Sequence, residues 1–185
     1  LGLSLLISYN RLNNQKLVSI VLKEINKKKS NYGKQKQNKK ILIEYCAPNT
    51  NKPLHLGHLR NIALGESISR IFSFLGNKVV RINLVNDRGI HICQSMLAYQ
   101  KYGNNKLPDK KSDHFVGDFY VMFSKNANEK MNNEAQELLL KWESKDKETI
   151  NLWKKMNKWA LDGFDETYKR LGIKFDKTYY ESDFY

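Results

Sequence analysis

The sequence predicts an α/β fold built on a parallel sheet, and three consecutive stretches carry that prediction. Ile41-Leu42-Ile43-Glu44-Tyr45 is a short apolar, β-branched run that suits a buried strand. From about His58 to Leu75, the residues Leu59, Ile62, Ala63, Ile68, Ile71, Phe72 and Leu75 recur at helical spacing, and Gly76 stands where a C-terminal cap belongs. Lys78 to Val85, rich in valine and isoleucine, is a second strand. Strand, helix and strand in this order make a βαβ unit, with parallel strands and a right-handed crossover. Ligands in such sheets bind at the carboxyl ends of the strands. The expected site is therefore the loop Cys46 to Leu54, with its two prolines and two asparagines, and the helix N-terminus after it.

The rest of the chain follows in order. Leu17, Val18, Val21, Leu22 and Ile25 share one face of a helix from about Asn14 to Lys28. Lys27 to Lys40 then holds seven lysines among polar residues, which reads as a solvated linker and a domain boundary. After Asn86, helices are expected at Ile90 to Tyr102, His114 to Lys125, Glu129 to Glu143 and Lys147 to Leu171, followed by an extended stretch from Ile173 to Tyr180. So much helix exceeds a simple crossover, and residues about 100–172 read as an insertion in the sheet. The expected organisation is residues 1–40 as the end of a preceding region and 41–185 as one nucleotide-binding half-domain. Leu1 is not methionine and Tyr185 closes an unfinished aromatic stretch, so both ends are expected to lie inside a longer protein.

Composition narrows the class. The longest apolar stretch, Leu1 to Ile7, is far short of the roughly 20 residues of a membrane span, and no basic segment precedes it. Cys46 and Cys93 lack the close spacing of a zinc or redox motif and read as free thiols in a reducing cytoplasm. The net charge of +13 suits a polyanionic partner. Yet 26 lysines against six arginines, with 20 asparagines, also match an A/T-rich coding bias. Charge alone does not separate these two readings.

Pro48-Asn49-Thr50-Asn51-Lys52-Pro53-Leu54-His55-Leu56-Gly57-His58 is the most informative segment. Two histidines at the first turn of a helix can both donate to one phosphate, with free backbone N–H groups and the helix dipole adding to the attraction. Gly57 carries no side chain, so a flat adenine could lie against the backbone there. A bare His-x-Gly-His is better explained by histidines that cap a helix; the preceding strand and following amphipathic helix reverse this in favour of the phosphate reading.

Glu44-Tyr45-Cys46-Ala47-Pro48-Asn49 running into His55-Leu56-Gly57-His58-Leu59-Arg60-Asn61 strongly resembles the catalytic core of arginyl-tRNA synthetases, class I enzymes with a His-Ile-Gly-His signature. The similarity continues from Val79 to His91 and from Trp159 to Phe175, covering residues 41–185 and, more weakly, 14–28. The resemblance implies the first half of a Rossmann-type class I catalytic domain with a largely helical insertion. It also implies activation of arginine by ATP with Mg2+ to arginyl-adenylate, transfer to tRNA, and a cytoplasmic setting without a membrane. His55 and His58 match the signature histidines that stabilise charge on the α-phosphate, and Gly57 joins them in binding ATP. Lys52 matches a lysine that assists in neutralising phosphate charge; it reads equally well as one more lysine of a lysine-rich chain. Glu44, Asn49 and His55 match residues that hold arginine, and Pro48 and Leu56 complete the signature. No residue is assigned as a metal ligand.

Glu44 ends an apolar strand, where burial would require a cation. That cation is the substrate arginine or, in the bland reading, a lysine of the linker. Asn49 equally suits a turn-forming loop residue. Two departures from the family pattern stand out: Cys46-Ala47 where hydroxyl residues are common, and Arg88 where tryptophan is common. The second class signature, near Lys-Met-Ser-Lys-Ser, does not occur in these 185 residues, and neither does a separate anticodon-binding helical domain, so half a site is expected. The alternatives are another class I synthetase, for cysteine, glutamate or lysine; a small nucleotidyltransferase with the same histidine pair; and a non-enzymatic RNA-binding module.

Overall fold

A computed structural model describes residues 14–184. The apolar stretch Leu1 to Ile7 and Tyr185 lie outside the described residues. The elements in chain order are α1 (Asn14–Lys28), β1 (Lys40–Glu44), α2 (Leu56–Phe74), β2 (Lys78–Val85), α3 (Ile90–Tyr102), α4 (Ser112–Asn126), α5 (Glu129–Glu143), α6 (Lys147–Leu171) and β3 (Lys177–Tyr180). The sheet has the order β1-β2-β3 and is parallel throughout. Lys40 pairs with Lys78 and Glu44 with Ile82, then Ile82 with Lys177 and Val85 with Tyr180. The α3–α6 helices therefore lie between two adjacent parallel strands.

Helix α2 ends as its sequence predicts. Gly76 adopts φ +83°, its N–H donates to the Ser73 carbonyl at 3.0 Å, and Asn77 N–H donates to the Phe72 carbonyl at 3.1 Å. This is a Schellman cap, which satisfies carbonyls that the helix leaves unpaired. The lysine-rich segment before β1 is exposed but not detached: Gln37 N–H and Asn38 N–H donate to the carbonyls of Leu75 and Gly76. A Cβ at Gly76 would stand 2.3 Å from the Gln35 carbonyl oxygen, so glycine also makes room for this crossing strand of chain.

Residues of alternating register carry α2 on one sheet face, where Arg81 pairs with Glu66 of the helix at 3.4 Å. On the other face Leu42 and Leu84 are 65% and 38% exposed. The main core forms where α3 is enclosed by α4, α5 and α6: Met96, Ala98, Ala135 and Ala160 are fully buried, and Phe115, Phe119 and Phe164 nearly so. Small residues on three helices let the axes approach while the aromatics fill the remaining volume. Helix α6 begins at Asp146, whose carboxylate accepts from Thr149 N–H at 2.9 Å and Thr149 Oγ1 at 2.7 Å, and ends at Gly172 with φ +68°.

Tyr45 joins the βαβ unit to this core. Its ring lies against Gly65 of α2, where an added Cβ would come within 2.3 Å of Tyr45 Cγ, and its hydroxyl donates to Glu66 at 3.0 Å. A ring held at both ends has nowhere to yield. Gly65→Val is therefore expected to destabilise the chain by about 3 kcal/mol, the upper part of the overpacking range. A urea midpoint equal to wild type at unchanged m-value would contradict that packing.

Candidate active site

The segment Cys46 to Leu54 is less of a free loop than its composition suggests. Asn49 forms a parallel bridge with Asn86, Asn86 N–H donates to Pro48 O at 2.9 Å, and Thr50 N–H donates to Asn86 O at 3.1 Å. The chain thus leaves β1, kinks, and returns to the β2 edge. The kink is built from two successive non-glycine residues in the left-handed region, Cys46 at φ 79° and Ala47 at φ 49°. Such backbone persists only when its surroundings over-determine it. Here Ala47 N–H donates to Asn83 Oδ1 at 3.1 Å, Asn83 Nδ2 donates to the Tyr168 hydroxyl at 3.3 Å, and Cys46 Sγ lies 3.2 Å from the same hydroxyl. Burial pushes the Cys46 thiol up to about 11, so it stays protonated at neutral pH. Cys93 is likewise a buried free thiol.

The kinked segment is also backed by α4: a Cβ at Gly117 would stand 2.6 Å from Pro53 Cδ. Pro48, Thr50 and Asn51 are buried as a result. Thr50 Oγ1 and Asn51 Oδ1 are buried oxygens without a hydrogen-bond partner among the described residues, which marks this loop as polar inside.

His55 is the N-cap of α2, not part of its first turn, and His58 is the third helical residue. The two close a reciprocal capping arrangement: Gly57 N–H donates to His55 Nδ1 at 3.1 Å, and His55 N–H donates to His58 Nδ1 at 3.2 Å. The ring centroids are 4.1 Å apart. The capping role and the phosphate role are compatible, because each ring spends only Nδ1 on the cap. With Nδ1 an acceptor, the proton of each neutral ring stands on Nε2, assigned by the hydrogen-bond network. Two Nε2–H donors and the unpaired N–H groups of the first turn remain at the positive end of a 19-residue helix. The His55 ring folds over Gly57, where a Cβ would meet His55 Cε1 at 2.9 Å, so a side chain here would push the ring out of its capping position.

His58 is buried and His55 exposed. Burial first, then the charges of His55 and Lys52, push the His58 imidazole down to about 4. Half-buried Lys52 thus stands close enough to act on the same space. His58 is neutral at pH 7. Because its folded value lies below the ordinary 6.5, the stability it contributes is fully present above pH 6.5 and is lost as pH falls toward 4. Nitrogen shifts in histidine-labelled protein are expected to show His58 with its proton on Nε2 and a midpoint near pH 4; a midpoint at the free-histidine value would contradict the buried cap.

The structure brings Lys52, His55, Gly57 and His58 together at one helix end. Asn49 is tied to that cluster through the backbone, accepting from Lys52 N–H at 3.4 Å, whereas Glu44 makes no hydrogen bond or ion pair with its members among the described residues. Glu44 is exposed at the end of β1, not buried as its strand suggests, and no lysine of the linker pairs with it among the described residues. Glu44 is the last residue of β1, where the strand gives way to the kink, and its side chain is left to solvent there. With Ala47 and Asn61 it lines a cavity of about 410 Å³. Asn49 is half-buried in the bridged segment, and Leu56 is 82% exposed. Asn83, Tyr168, Gly117 and Asn61 also shape the site, and sequence reasoning does not single them out. Only Asn83, a polar residue in an apolar strand, leaves a local signal.

Comparison with known proteins gives a consistent picture. A family model described as the catalytic domain of class I tRNA synthetases (R) matches residues 19–185. The chain is 57% identical to an arginine–tRNA ligase of Treponema denticola over 178 residues, covering 91% of this chain and 30% of that protein. It is 54% identical to one of Borrelia garinii subsp. bavariensis, covering 91% and 30%. Among solved structures, Thermus thermophilus arginyl-tRNA synthetase aligns over 80% of this chain and 24% of that one, with a TM-score of 0.70 at 30% identity. The Plasmodium falciparum arginyl-tRNA synthetase aligns over 80% and 25%, at TM-score 0.60 and 27% identity. The chain thus spans about 30% of the length of the curated relatives it matches.

Proposed function

The chain belongs to the catalytic-domain family of class I tRNA synthetases for arginine, and from that premise we propose that it supplies one wall of the active site of an arginine–tRNA ligase. The observation that carries the reading is the histidine pair, with both Nδ1 atoms engaged in the cap and both Nε2–H groups left to donate. In this reading the arginine carboxylate attacks the α-phosphorus of ATP, the bond to the bridging oxygen breaks, and pyrophosphate leaves. Arginyl-adenylate remains, and a terminal tRNA hydroxyl then attacks its carbonyl carbon and expels AMP. A carboxylate nucleophile needs no base, so His55 and His58 act as donors to the developing charge on the phosphoryl oxygens, with Lys52 adding a positive charge. Neutral His58 suits this role, since its single ring proton stands on Nε2 and it donates there without taking up a second one.

Glu44 and Asn49 are proposed to hold arginine, with Glu44 taking the guanidinium or α-ammonium group through charge-assisted hydrogen bonds. Among the described residues no three His, Cys, Asp or Glu side chains stand together as a metal site. Mg2+ is proposed to enter with the triphosphate that it coordinates, and no step is assigned to it. No helix among the described residues is long and apolar enough to cross a membrane; a cytoplasmic setting is part of the same proposal because tRNA is the partner. The same proposal takes residues 41–185 as the first half of the nucleotide-binding domain, 1–40 as the end of a preceding region, and about 100–172 as the helical insertion.

The relatives named for arginine favour that amino acid over cysteine, glutamate or lysine. The reading is tested by charging of tRNA with labelled arginine by the full-length protein that carries this segment; charging with a different amino acid instead would overturn it. Glu44→Gln is expected to leave folding unchanged, because the side chain is exposed. It should raise the arginine concentration needed for half-saturation roughly 10- to 100-fold, the worth of a hydrogen bond to a charged group. Equal titrations for wild type and variant would assign Glu44 a structural role.

A further inference from the structure

We infer that the buried pair Asn83 and Tyr168 positions the wall that receives the substrate arginine, by holding the Cys46-Ala47 kink in its left-handed form. The inference rests on the ligase reading and deepens it, because it lets the last helix of the α3–α6 group set arginine affinity from outside the site. The cavity of about 410 Å³ beside Glu44 is lined by Cys46 and Ala47 of the kink and by Asn61 and Leu64 of α2; neither Asn83 nor Tyr168 is among its lining residues.

Left to itself the kink would open. The φ values of 79° and 49° at Cys46 and Ala47 lie where non-glycine residues rarely stay, and release would turn the peptide planes on either side of Ala47, beside the cavity. Asn83 of β2 fits this place in one orientation. Its Oδ1 accepts from Ala47 N–H at 3.1 Å, and its Nδ2 then faces the Tyr168 hydroxyl at 3.3 Å. That hydroxyl keeps its own proton for Cys46 Sγ at 3.2 Å. Asn83, Tyr168 and Cys46 are all buried, so bulk water does not replace a lost partner. The Tyr168 ring is seated separately, against Phe175 at 5.2 Å, and Phe175 lies 4.9 Å from Tyr45. Tyr168→Phe therefore removes the hydrogen bonds and keeps the packing.

The histidine pair does not share this support. Between Ala47 and His55 the chain is fixed by the Asn49–Asn86 bridge, by the hydrogen bonds of Asn86 to Pro48 and Thr50, and by Pro53 against Gly117 of α4. A shift at the kink is absorbed there before it reaches the signature. Tyr168 thus bears on arginine and not on ATP. Farther back along α6, Trp153 Nε1 and Asn157 Nδ2 donate to the Asp87 carbonyl at 2.6 and 3.1 Å, so the helix is anchored past the end of β2 as well as past the end of β1. A network that merely satisfied polar groups of the core would change stability and treat the two substrates alike.

The test is arginine-dependent pyrophosphate exchange by the full-length protein with tRNA present, titrated separately in arginine and in ATP. Tyr168→Phe is expected to raise the KM for arginine about ten-fold, the worth of one buried hydrogen bond. The KM for ATP and the maximum rate should stay within about two-fold of wild type, since the lost interaction serves arginine binding alone. Asn83→Ala leaves the Ala47 N–H unpaired and should raise the arginine KM roughly 30-fold or more. The double variant should go no further than Asn83→Ala, because Tyr168 acts through Asn83. Should Asn83→Ala fail to fold, Tyr168→Phe decides the matter by itself. A lower thermal midpoint with an unchanged arginine KM, equal rises in both KM values, or effects that multiply in the double variant would overturn the inference. Wild-type exchange with arginine beside unaltered variants sinks only the positioning role; a wild type that shows no arginine-dependent exchange sinks the ligase reading.

Discussion

Replacing either His55 or His58 with alanine in the full-length protein is expected to slow adenylate formation about 100- to 1,000-fold, the usual cost of one preorganised donor to a developing oxyanion. ATP affinity should change far less, because the donors gain most where charge builds up on the α-phosphate. The two variants also differ in a way the geometry dictates. His58 accepts the His55 N–H through Nδ1 and is buried, so its loss disturbs the helix start as well as the chemistry. His55 is exposed and its ring accepts only from first-turn N–H groups, so its loss should leave the thermal midpoint closer to wild type. Single-turnover measurement of adenylate against ATP concentration separates rate from binding. A doubly substituted protein that turns over near the wild-type rate would reduce the pair to a helix cap.

The 185 residues by themselves are expected to form no detectable arginyl-tRNA. In the proposed reading they present the histidines to one side of a triphosphate, and the one stretch akin to Lys-Met-Ser-Lys, Lys155-Met156-Asn157-Lys158, lies inside α6 with Met156 and Asn157 buried, where it cannot clamp the other. Holding two reactants in line is worth roughly 7 to 11 kcal/mol, and one wall does not hold them. The exposed Leu42 and Leu84 add a second expectation, that the sheet face they mark lowers the solubility of the isolated chain. Arginylation assays on the 185-residue chain and on the full-length protein, at equal concentration, make the comparison. Robust charging by the shorter chain would show that these residues complete a site without further sequence. Weak, salt-sensitive RNA binding by the basic segment before β1 would not count as function, since exposed lysines bind any polyanion.

The elements with strong periodicity are legible in the sequence. The 3.6-residue repeat and terminal punctuation place α1, α3, α5 and α6 at the boundaries the structure shows, and Gly76 and Gly172 stop their helices in the left-handed region that glycine adopts without strain. Apolar spacing starts the helix after the signature at His58; the cap geometry moves the start to Leu56 and changes how the histidines work. The kink at Cys46 and Ala47 is not legible, since neither residue favours positive φ. It is imposed by Asn83 and Tyr168, which lie 36 and 122 residues away from their partners in this cluster. Glu44 departs from expectation for a related reason. A strand of apolar composition suggests burial on both faces, whereas Leu42 and Glu44 are both exposed among the described residues.

The central claim is that this helix end activates arginine with ATP, and amino-acid-dependent exchange of labelled pyrophosphate into ATP measures that step directly. Run on the full-length protein with each amino acid in turn, with and without tRNA, the assay should show exchange with arginine alone, abolished by the combined His55→Ala and His58→Ala substitutions. Exchange driven by another amino acid, or arginine-dependent exchange that survives loss of both histidines, would contradict the account.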